Sequence, residues 1–363
     1  MTTVNGPISA GPTRSSTHSV RARGSHFITL AAALFVIAPT LAACGTSKSS
    51  APPKPTTVTV GQAADSALAL QNQFVRVVKN VSPSVVLIET NAGLGSGVVY
   101  DDNGNIVTNA HVVAGANTFT VTLANGHRHP ATLLGSFPPN DLAVVHVEGE
   151  TPPPAQFGHS KALAVGDIVF AIGNPLGLRS SVTEGIISSL GRTVSEGNGI
   201  ALPSVIQTSA AINPGNSGGA LVDLESEVIG IPTLAAVDPE FGQTPAAGIG
   251  FAIPSDAVKL IADQLISSGK VTHSGRAFLG VRLATTFGGG AMVASVEAGG
   301  PADAAGIAPG DVIVAVDKTP VTSADELAAV LAPIKPGKTV QVEVVRKGKK
   351  LTFDVKVGQL KSG

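Results

Sequence analysis

The stretch Asn213-Pro-Gly-Asn-Ser-Gly-Gly219 sets one serine, Ser217, in a glycine-flanked turn between two apolar runs. A serine hydroxyl is a poor nucleophile at neutral pH. It needs a base beside it and hydrogen-bond donors facing the oxyanion that its attack creates. Glycines on either side let the backbone approach a substrate closely and turn its amides inward.

The partners such a serine needs lie upstream. His111 ends the strand-like run Ile106-Val-Thr-Asn-Ala-His-Val-Val113, and Asp141 opens the apolar run in Pro139-Asn-Asp-Leu-Ala-Val-Val145. The order His, Asp, Ser is that of chymotrypsin-like proteases. Singly, each residue has an ordinary reading, as a strand-end histidine, a capping acid and a turn serine. Gly215-Asn-Ser-Gly-Gly219 also fits the G-x-S-x-G elbow of α/β-hydrolases, which requires a helix directly after the serine, then an acid and a histidine downstream. Here Gly219-Ala-Leu-Val-Asp223 and Glu227-Val-Ile-Gly-Ile231 form two short β-like runs around a turn, and the one later histidine, His273, sits in a polar connector. The hydrolase reading fails on both counts.

The chain has 363 residues, 43% of them hydrophobic, with 42 glycines and 25 prolines, which suits two or three units rich in strands and turns. From about Ser84 to Ile253, short apolar runs alternate with turn signals such as Asp101-Asp-Asn-Gly104 and Ala124-Asn-Gly126, a pattern of two antiparallel barrels. A formal net charge of −1 and the lack of a basic, aromatic-laced stripe argue against nucleic acid as a partner. His127 and His129 read as turn histidines; no metal site and no cofactor is expected. Residues 63–80 read as a helix with Leu68, Phe74, Val75 and Val78 on its apolar side. Ser255–Ile266 read as another, with Ser255 as N-cap and Val258, Ile261, Ala262 and Leu265 on one face. Ser267–Gly275 read as a hinge.

The single cysteine, Cys44, excludes an internal disulfide. It follows Leu41-Ala-Ala in a lipobox pattern, behind the apolar run Phe27–Ala38 and the basic residues Arg14, Arg21 and Arg23. That arrangement reads as a signal peptide over 1–43, with lipidation of Cys44. As an uncleaved anchor, Phe27–Ala43 would reach only about 25 Å, short of the ~30 Å hydrocarbon core. A polar, proline-bearing tether follows over 44–64.

Taken together, these segments resemble the HtrA/Deg family of trypsin-like serine proteases. The matching stretches are Thr108-Asn-Ala-His-Val-Val113, Asn140-Asp-Leu-Ala-Val-Val145, Ala171-Ile-Gly-Asn-Pro-Leu-Gly177, Thr183–Gly191, Gln207–Gly219 and Gly248-Ile-Gly-Phe-Ala-Ile-Pro254. The resemblance implies a chymotrypsin-like double antiparallel β-barrel over 65–270, an all-β-dominated fold. It also implies His111 as general base, Asp141 as its orienting acid, Ser217 as nucleophile, and backbone amides of Gly215, Asn216 and Ser217 as oxyanion hole. Asn216 stands where trypsin-like zymogens carry an acid that pairs with a new N-terminus, so activation by N-terminal cleavage is not expected. Rearrangement at the Pro214–Gly215 peptide is expected instead. Ile212, Ile231, Pro232 and Thr233 are expected to line the specificity pocket and to favour small aliphatic side chains. In the family the leader region forms trimers through aromatic residues, and Phe74 is the one aromatic in that region here.

Residues 276–358 resemble a PDZ domain, a small α+β unit, through Phe278-Leu-Gly-Val281 and Gly300-Pro-Ala-Asp-Ala-Ala-Gly-Ile-Ala-Pro-Gly-Asp-Val-Ile313. Ser323 and Glu326 have capping-box spacing ahead of Leu327, Val330 and Leu331. Such a unit takes a peptide C-terminus as an added strand, so amides in Phe278, Leu279, Gly280 and Val281 are expected to hold its carboxylate. The expected function is that of a lipid-anchored endopeptidase on the extracytoplasmic face of the membrane, acting on unfolded or misfolded proteins. The alternative is a chaperone or scaffold that binds such chains without cutting them.

Overall fold

The computed structural model describes residues 60–149, 152–174, 181–197, 200–213, 215–238, 244–284 and 289–362. The expected signal peptide, Cys44 and the tether up to residue 59 lie outside the described residues.

Six strands close each of two barrels. The first contains β1 (Val85–Thr90), β2 (Leu94–Val99), β3 (Asn105–Thr108), β4 (Phe119–Thr122), β5 (Arg128–Phe137) and β6 (Leu142–Val147), in the order β1-β2-β3-β6-β5-β4. The second contains β7 (Ile168–Gly173), β8 (Ser181–Gly197), β9 (Ile200–Thr208), β10 (Ala220–Val222), β11 (Val228–Asp238) and β12 (Thr244–Pro254), in the order β10-β11-β12-β9-β8-β7. All the neighbours within each barrel are antiparallel. The apolar runs of barrel 1 are nearly unbroken because both faces of these strands are covered. Side chains alternate across a strand, so Val86, Val99, Ile106 and Val145 fill the barrel interior. Their neighbours Val85, Val98, Val107 and Val144 join the core shared with barrel 2 and its Phe170, Ile172 and Ile253. Period-2 packing of one sequence thus builds a barrel and the seam between the two barrels. Both expected hairpin turns join neighbouring strands, β2 to β3 and β4 to β5. In the first, the Asp101 carboxylate accepts the amides of Asn103 and Asn105 at 2.9 and 3.2 Å.

Helix α1 spans Val60–Val81, longer than the sequence suggested. Its buried side is also different: Val77 and Val81 enter the shared core and Phe74 meets Phe170 edge-on at 4.8 Å, whereas Leu68 and Val75 are exposed. The helix meets the barrels through its last two turns, and residues 65–72 are exposed. Phe74 is therefore a core residue in this chain. A short helical turn, α2 (Ala110–Val113), interrupts barrel 1 after β3.

Helix α3 (Ser255–Ser268) buries Val258, Ile261, Ala262 and Leu265, as its period implied, and ends at Gly269 in the left-handed conformation. Ser255 is not the cap. Pro254 occupies that position, while the Ser255 hydroxyl donates to Gly158 O and accepts from Ser160 N, at 3.0 and 3.1 Å. The connector after α3 is strapped by the chain end. Ser274 Oγ donates to Leu360 O, and Ser362 N donates to Val271 O. Arg276, 8% exposed, donates its guanidinium to Pro139 O and Ala201 O. The expected hinge is thus tied to residues 360–362, and the Arg276 that follows it is tied to the barrels.

The last unit builds β13 (Ala277–Phe278), β14 (Val281–Ala284), β15 (Ala291–Val296), α4 (Pro301–Ala305), β16 (Val312–Val316), β17 (Thr319–Pro320), α5 (Ala324–Leu331), β18 (Thr339–Arg346), β19 (Lys349–Lys356) and β20 (Gly358–Gln359). Its main sheet runs β14-β15-β16-β18-β19, with β17 on β16, and β13 pairs β20. Ser323 caps α5 by accepting the Glu326 amide at 3.1 Å. The return bond of the expected capping box is shifted by one residue, since Glu326 accepts from Thr322 N.

Candidate active site

The short turn α2 aims His111 at the cleft. Asn109 anchors that turn, its side-chain amide donating to Asp141 O at 3.0 Å. Asp141 follows the tight turn Pro138–Asn140 with φ 49, a left-handed conformation that an aspartate tolerates better than most residues. Its carboxylate is buried and draws three donors. His111 N lies 3.0 Å from Oδ1, His111 Nδ1 lies 3.0 and 2.9 Å from the two oxygens, and Thr233 Oγ1 lies 2.5 Å from Oδ2. An ionised carboxylate only accepts hydrogen bonds, so Nδ1 carries the proton and Nε2 keeps a lone pair for base chemistry. Half the His111 side chain is open to solvent.

Ser217 reaches the same place from barrel 2. Its hydroxyl donates to Thr233 O at 3.2 Å, and Gly218 N donates to Pro232 O at 3.0 Å, docking the turn on β11. Thr233 therefore touches Asp141 through its side chain and Ser217 through its main chain, and brings the three sequence candidates to one locus. Sequence reasoning put Thr233 on a specificity wall. Its one signal was a polar residue within the buried run Val228–Thr233.

Two groups of expected residues stand elsewhere than anticipated. Asn216 N donates to Asn213 O inside the turn at 3.1 Å, so it does not face an oxyanion; the amides of Gly215 and Ser217 are the remaining candidates. The Asn216 side chain, buried, accepts from Asn213 N and donates to Ala211 O, both at 3.0 Å. It holds the loop by neutral hydrogen bonds where an acid would await a charged partner. Pro214 lies outside the described residues. Ile212, Ile231, Pro232 and Thr233 are all buried. Ile231 packs in the shared core, Ile212 in barrel 2, Pro232 receives Gly218, and Thr233 serves Asp141. They form support for the site and not an open wall. Two of the other described histidines have partners of their own: His127 Nδ1 meets Asn125 and His146 Nδ1 meets Asn105 Oδ1 at 3.2 Å.

A second site lies in the last unit. A cavity of about 220 Å³ opens between β14 and α5, lined among others by Phe278, Gly280, Val281, Leu283, Leu327 and Leu331. β14 is the end strand of its sheet, paired with β15 alone among the described strands. Gly280 adopts φ 77, and its carbonyl accepts Glu297 N at 2.8 Å. An open strand edge beside an apolar groove suits an extended peptide with an apolar side chain.

Residues 95–231 match the trypsin-like peptidase domain family, and residues 277–357 match the PDZ domain family. The chain is 42% identical over 287 residues to Serine protease PepD of Mycobacterium tuberculosis, covering 73% of this chain and 61% of that protein. It is 42% identical over 277 residues to a Probable periplasmic serine endoprotease DegP-like of Chlamydia trachomatis, covering 73% and 54%. It is 40% identical over 294 residues to Putative serine protease HhoA of a Synechocystis species, covering 75% and 72%. The chain thus spans about three-fifths and half of the length of the first two relatives. Among solved structures, the HtrA-type protease AlgW with decapeptide aligns over 79% of this chain and 98% of its own, at 32% identity and a TM-score of 0.55. The serine endoprotease from Yersinia pestis aligns over 80% and 97%, at 36% identity and a TM-score of 0.53.

Proposed function

The chain belongs to the HtrA/DegP-like family of trypsin-like serine proteases with a PDZ domain, and on that premise we propose that it is a serine endopeptidase of the cell envelope. The reading rests above all on one chain of bonds, in which Asp141 holds His111 and Thr233 links Asp141 to Ser217. As substrate enters, the Ser217 hydroxyl turns its proton from Thr233 O to His111 Nε2, and Oγ attacks the scissile carbonyl carbon. The carbonyl π pair moves to oxygen, where the amides of Gly215 and Ser217 face it. The imidazolium, held by Asp141, gives its proton to the leaving amine as the C–N bond breaks. Water, deprotonated by the same imidazole, then attacks the acyl carbon, and as the C–Oγ bond breaks the imidazolium returns that proton to Ser217 Oγ. The histidine must be neutral to begin, so activity falls as acid protonates it, and a rate that no acid lowers in the folded protein would remove His111 from this role.

Substrates in this reading are unfolded or misfolded proteins, and the groove between β14 and α5 takes their C-termini through the Phe278–Val281 amides. The periplasmic naming of several relatives supports an extracytoplasmic site of action. The lipobox at Cys44 supports a lipid anchor, and the exposed residues 65–72 of α1 leave room for assembly into a homotrimer.

The test is direct. The chain and its Ser217→Ala variant are incubated with a permanently unfolded protein. Cleavage by the first only supports the endopeptidase. Cleavage by neither, with the substrate kept soluble by both, would replace it with a chaperone. Loss of a metabolic acyl label on Cys44→Ala tests the anchor, and mass in solution tests the trimer.

A further inference from the structure

Ser96 lies on β2 of barrel 1, fully buried, and takes no part in the chemistry described above. All of its polar atoms meet groups of the opposite barrel or of β3, the strand that leads into the turn α2 with His111. Its N–H donates to Ser217 O at 3.0 Å. Its hydroxyl donates to Gly215 O at 2.5 Å and accepts the Asn174 amide at 2.8 Å. Its own carbonyl accepts the Thr108 hydroxyl at 2.7 Å, one residue before Asn109. One serine of barrel 1 thus grips the nucleophile turn of barrel 2 at both ends, 119 residues away in sequence.

The bond to Gly215 O has a particular consequence. A peptide plane is rigid, so fixing its oxygen fixes its N–H. The Gly215–Asn216 plane is held at its oxygen by Ser96 Oγ and at its nitrogen by Asn213 O. With that plane pinned, the amides on either side of it, Gly215 N and Ser217 N, are left with little freedom to turn. A barrel-core function would ask nothing of the hydroxyl, because strand pairing and packing at this position need only backbone and Cβ.

We propose that Ser96 is a positioning residue for hydrolysis, a latch between the barrels that sets the two oxyanion-binding amides through the Gly215 carbonyl. The proposal rests on the endopeptidase reading. It acts on the transition state, where charge develops on the substrate oxygen, and leaves substrate capture alone.

The test compares wild type with Ser96→Ala in the full chain. Turnover of a peptide substrate is measured alongside inhibition by a peptide boronic acid, whose tetrahedral adduct carries an oxygen in the oxyanion position. Removing one donor of such a hole costs about 10²–10³ in rate, and a loosened donor pair costs less. A fall in kcat of roughly tenfold to hundredfold is expected, with KM within about twofold and boronate affinity falling in parallel with kcat. Hydrogen exchange of the barrel strands, read on the same samples, reports any general loosening. Unchanged kcat and boronate affinity would overturn the proposal. So would a fall in kcat that comes with equal losses in KM and in exchange protection throughout both barrels, because the hydroxyl would then serve folding alone. A wild type that neither cuts the substrate nor binds the boronate would sink the endopeptidase reading and the proposal with it. An active wild type beside an equally active Ser96→Ala sinks the proposal only.

Discussion

Two glycine-bearing turns carry the two candidate sites of this molecule, and they are built in opposite ways. The turn Gly215–Gly219 is held from three sides: by Ser96 of barrel 1, by Pro232 and Thr233 of β11, and by the Asn216 side chain from within. A methyl group on Gly218, at φ +79, would stand 2.5 Å from Thr108 Oγ1 and closer still to Ser96 O. The turn Phe278–Val281 is tied at fewer points, chiefly Leu279 O to Ala302 N and Gly280 O to Glu297 N. A methyl group on Gly280, at φ +77, would meet its nearest neighbour, Pro301 Cδ, at 3.3 Å. A site that stabilises a transition state must be in place before the reaction. A site that takes a strand from solution must have an open edge. The packing around the two glycines reflects that division.

The contrast breaks first at Gly218. Gly218→Ala forces a disfavoured φ and a collision with barrel 1 together, so the turn must shift. A displacement of about 1 Å at a reacting group costs around 10²-fold in rate, and at least that loss in kcat/KM is expected. Labelling of Ser217 by a fluorophosphonate should fall in step, with peptide binding in the groove intact. Near-normal labelling would mean that the turn is not as tightly held as its neighbours suggest. Thr233→Val is the milder cut. It keeps the shape and removes one donor from a buried carboxylate, a loss of about 1.5–3 kcal/mol for a charge-assisted bond. A drop of about tenfold to hundredfold in kcat with KM little changed is expected, and equal activity of the two forms would leave Thr233 a spectator.

The sequence showed the parts of the site that are local and hid those that are not. The Ser217 turn, the strand-end His111 and Asp141 each have a pattern of neighbours that marks them. So do the period of α3 and the Ser323 cap. Thr233, Ser96 and Arg276 have none, because their partners lie 92, 119 and 137 residues away. A buried threonine on a strand and a serine beside two glycines look like many others until the barrels bring them to Asp141 and Gly215. The same limit bears on the expected specificity wall. The family resemblance gave Ile231 and Thr233 one shared role, whereas in the fold Ile231 packs in the shared core and the Thr233 hydroxyl bonds Asp141. Ser255 was misread as a cap because its tertiary partners, Gly158 and Ser160, outcompete the local bond to the helix start.

At the second turn the expected effects are smaller. Gly280→Ala has nearly enough room, and the penalty is that of a left-handed backbone, about 1–2 kcal/mol. Affinity for a C-terminal peptide with an apolar last residue should fall about fivefold to thirtyfold, while hydrolysis of a short peptide that does not reach the groove stays at the wild-type rate. Equal affinity would move the carboxylate away from this turn, and a matching loss of hydrolysis would show that the two turns are coupled.

The smallest effect separates the two halves by acid. In the PDZ unit, Asp311 is 1% exposed and takes two bonds from Arg346, Nε to Oδ1 at 2.6 Å and Nη2 to Oδ2 at 2.7 Å. These bonds, and the Ala308 amide after them, hold its carboxyl below the usual carboxylate range against the opposing pull of burial. A carboxyl lowered in the folded state contributes stability that is present above its unfolded value and is lost as pH falls through the folded one. In barrel 2, Asp223 shifts the other way, raised by burial and by Glu225 and Glu227 despite two amides that lower it. Its contribution fades as pH rises from the unfolded value through the folded one. Acid should therefore loosen β16 and β18 before β10. Amide exchange compared at pH 6 and pH 3, after correction for the intrinsic rate, should show the larger loss of protection in the PDZ sheet. Asp311→Asn, which cannot titrate, should start from lower protection and lose less of it on acidification. If the variant keeps the wild-type acid response, the pair between Asp311 and Arg346 is not what makes this half sensitive.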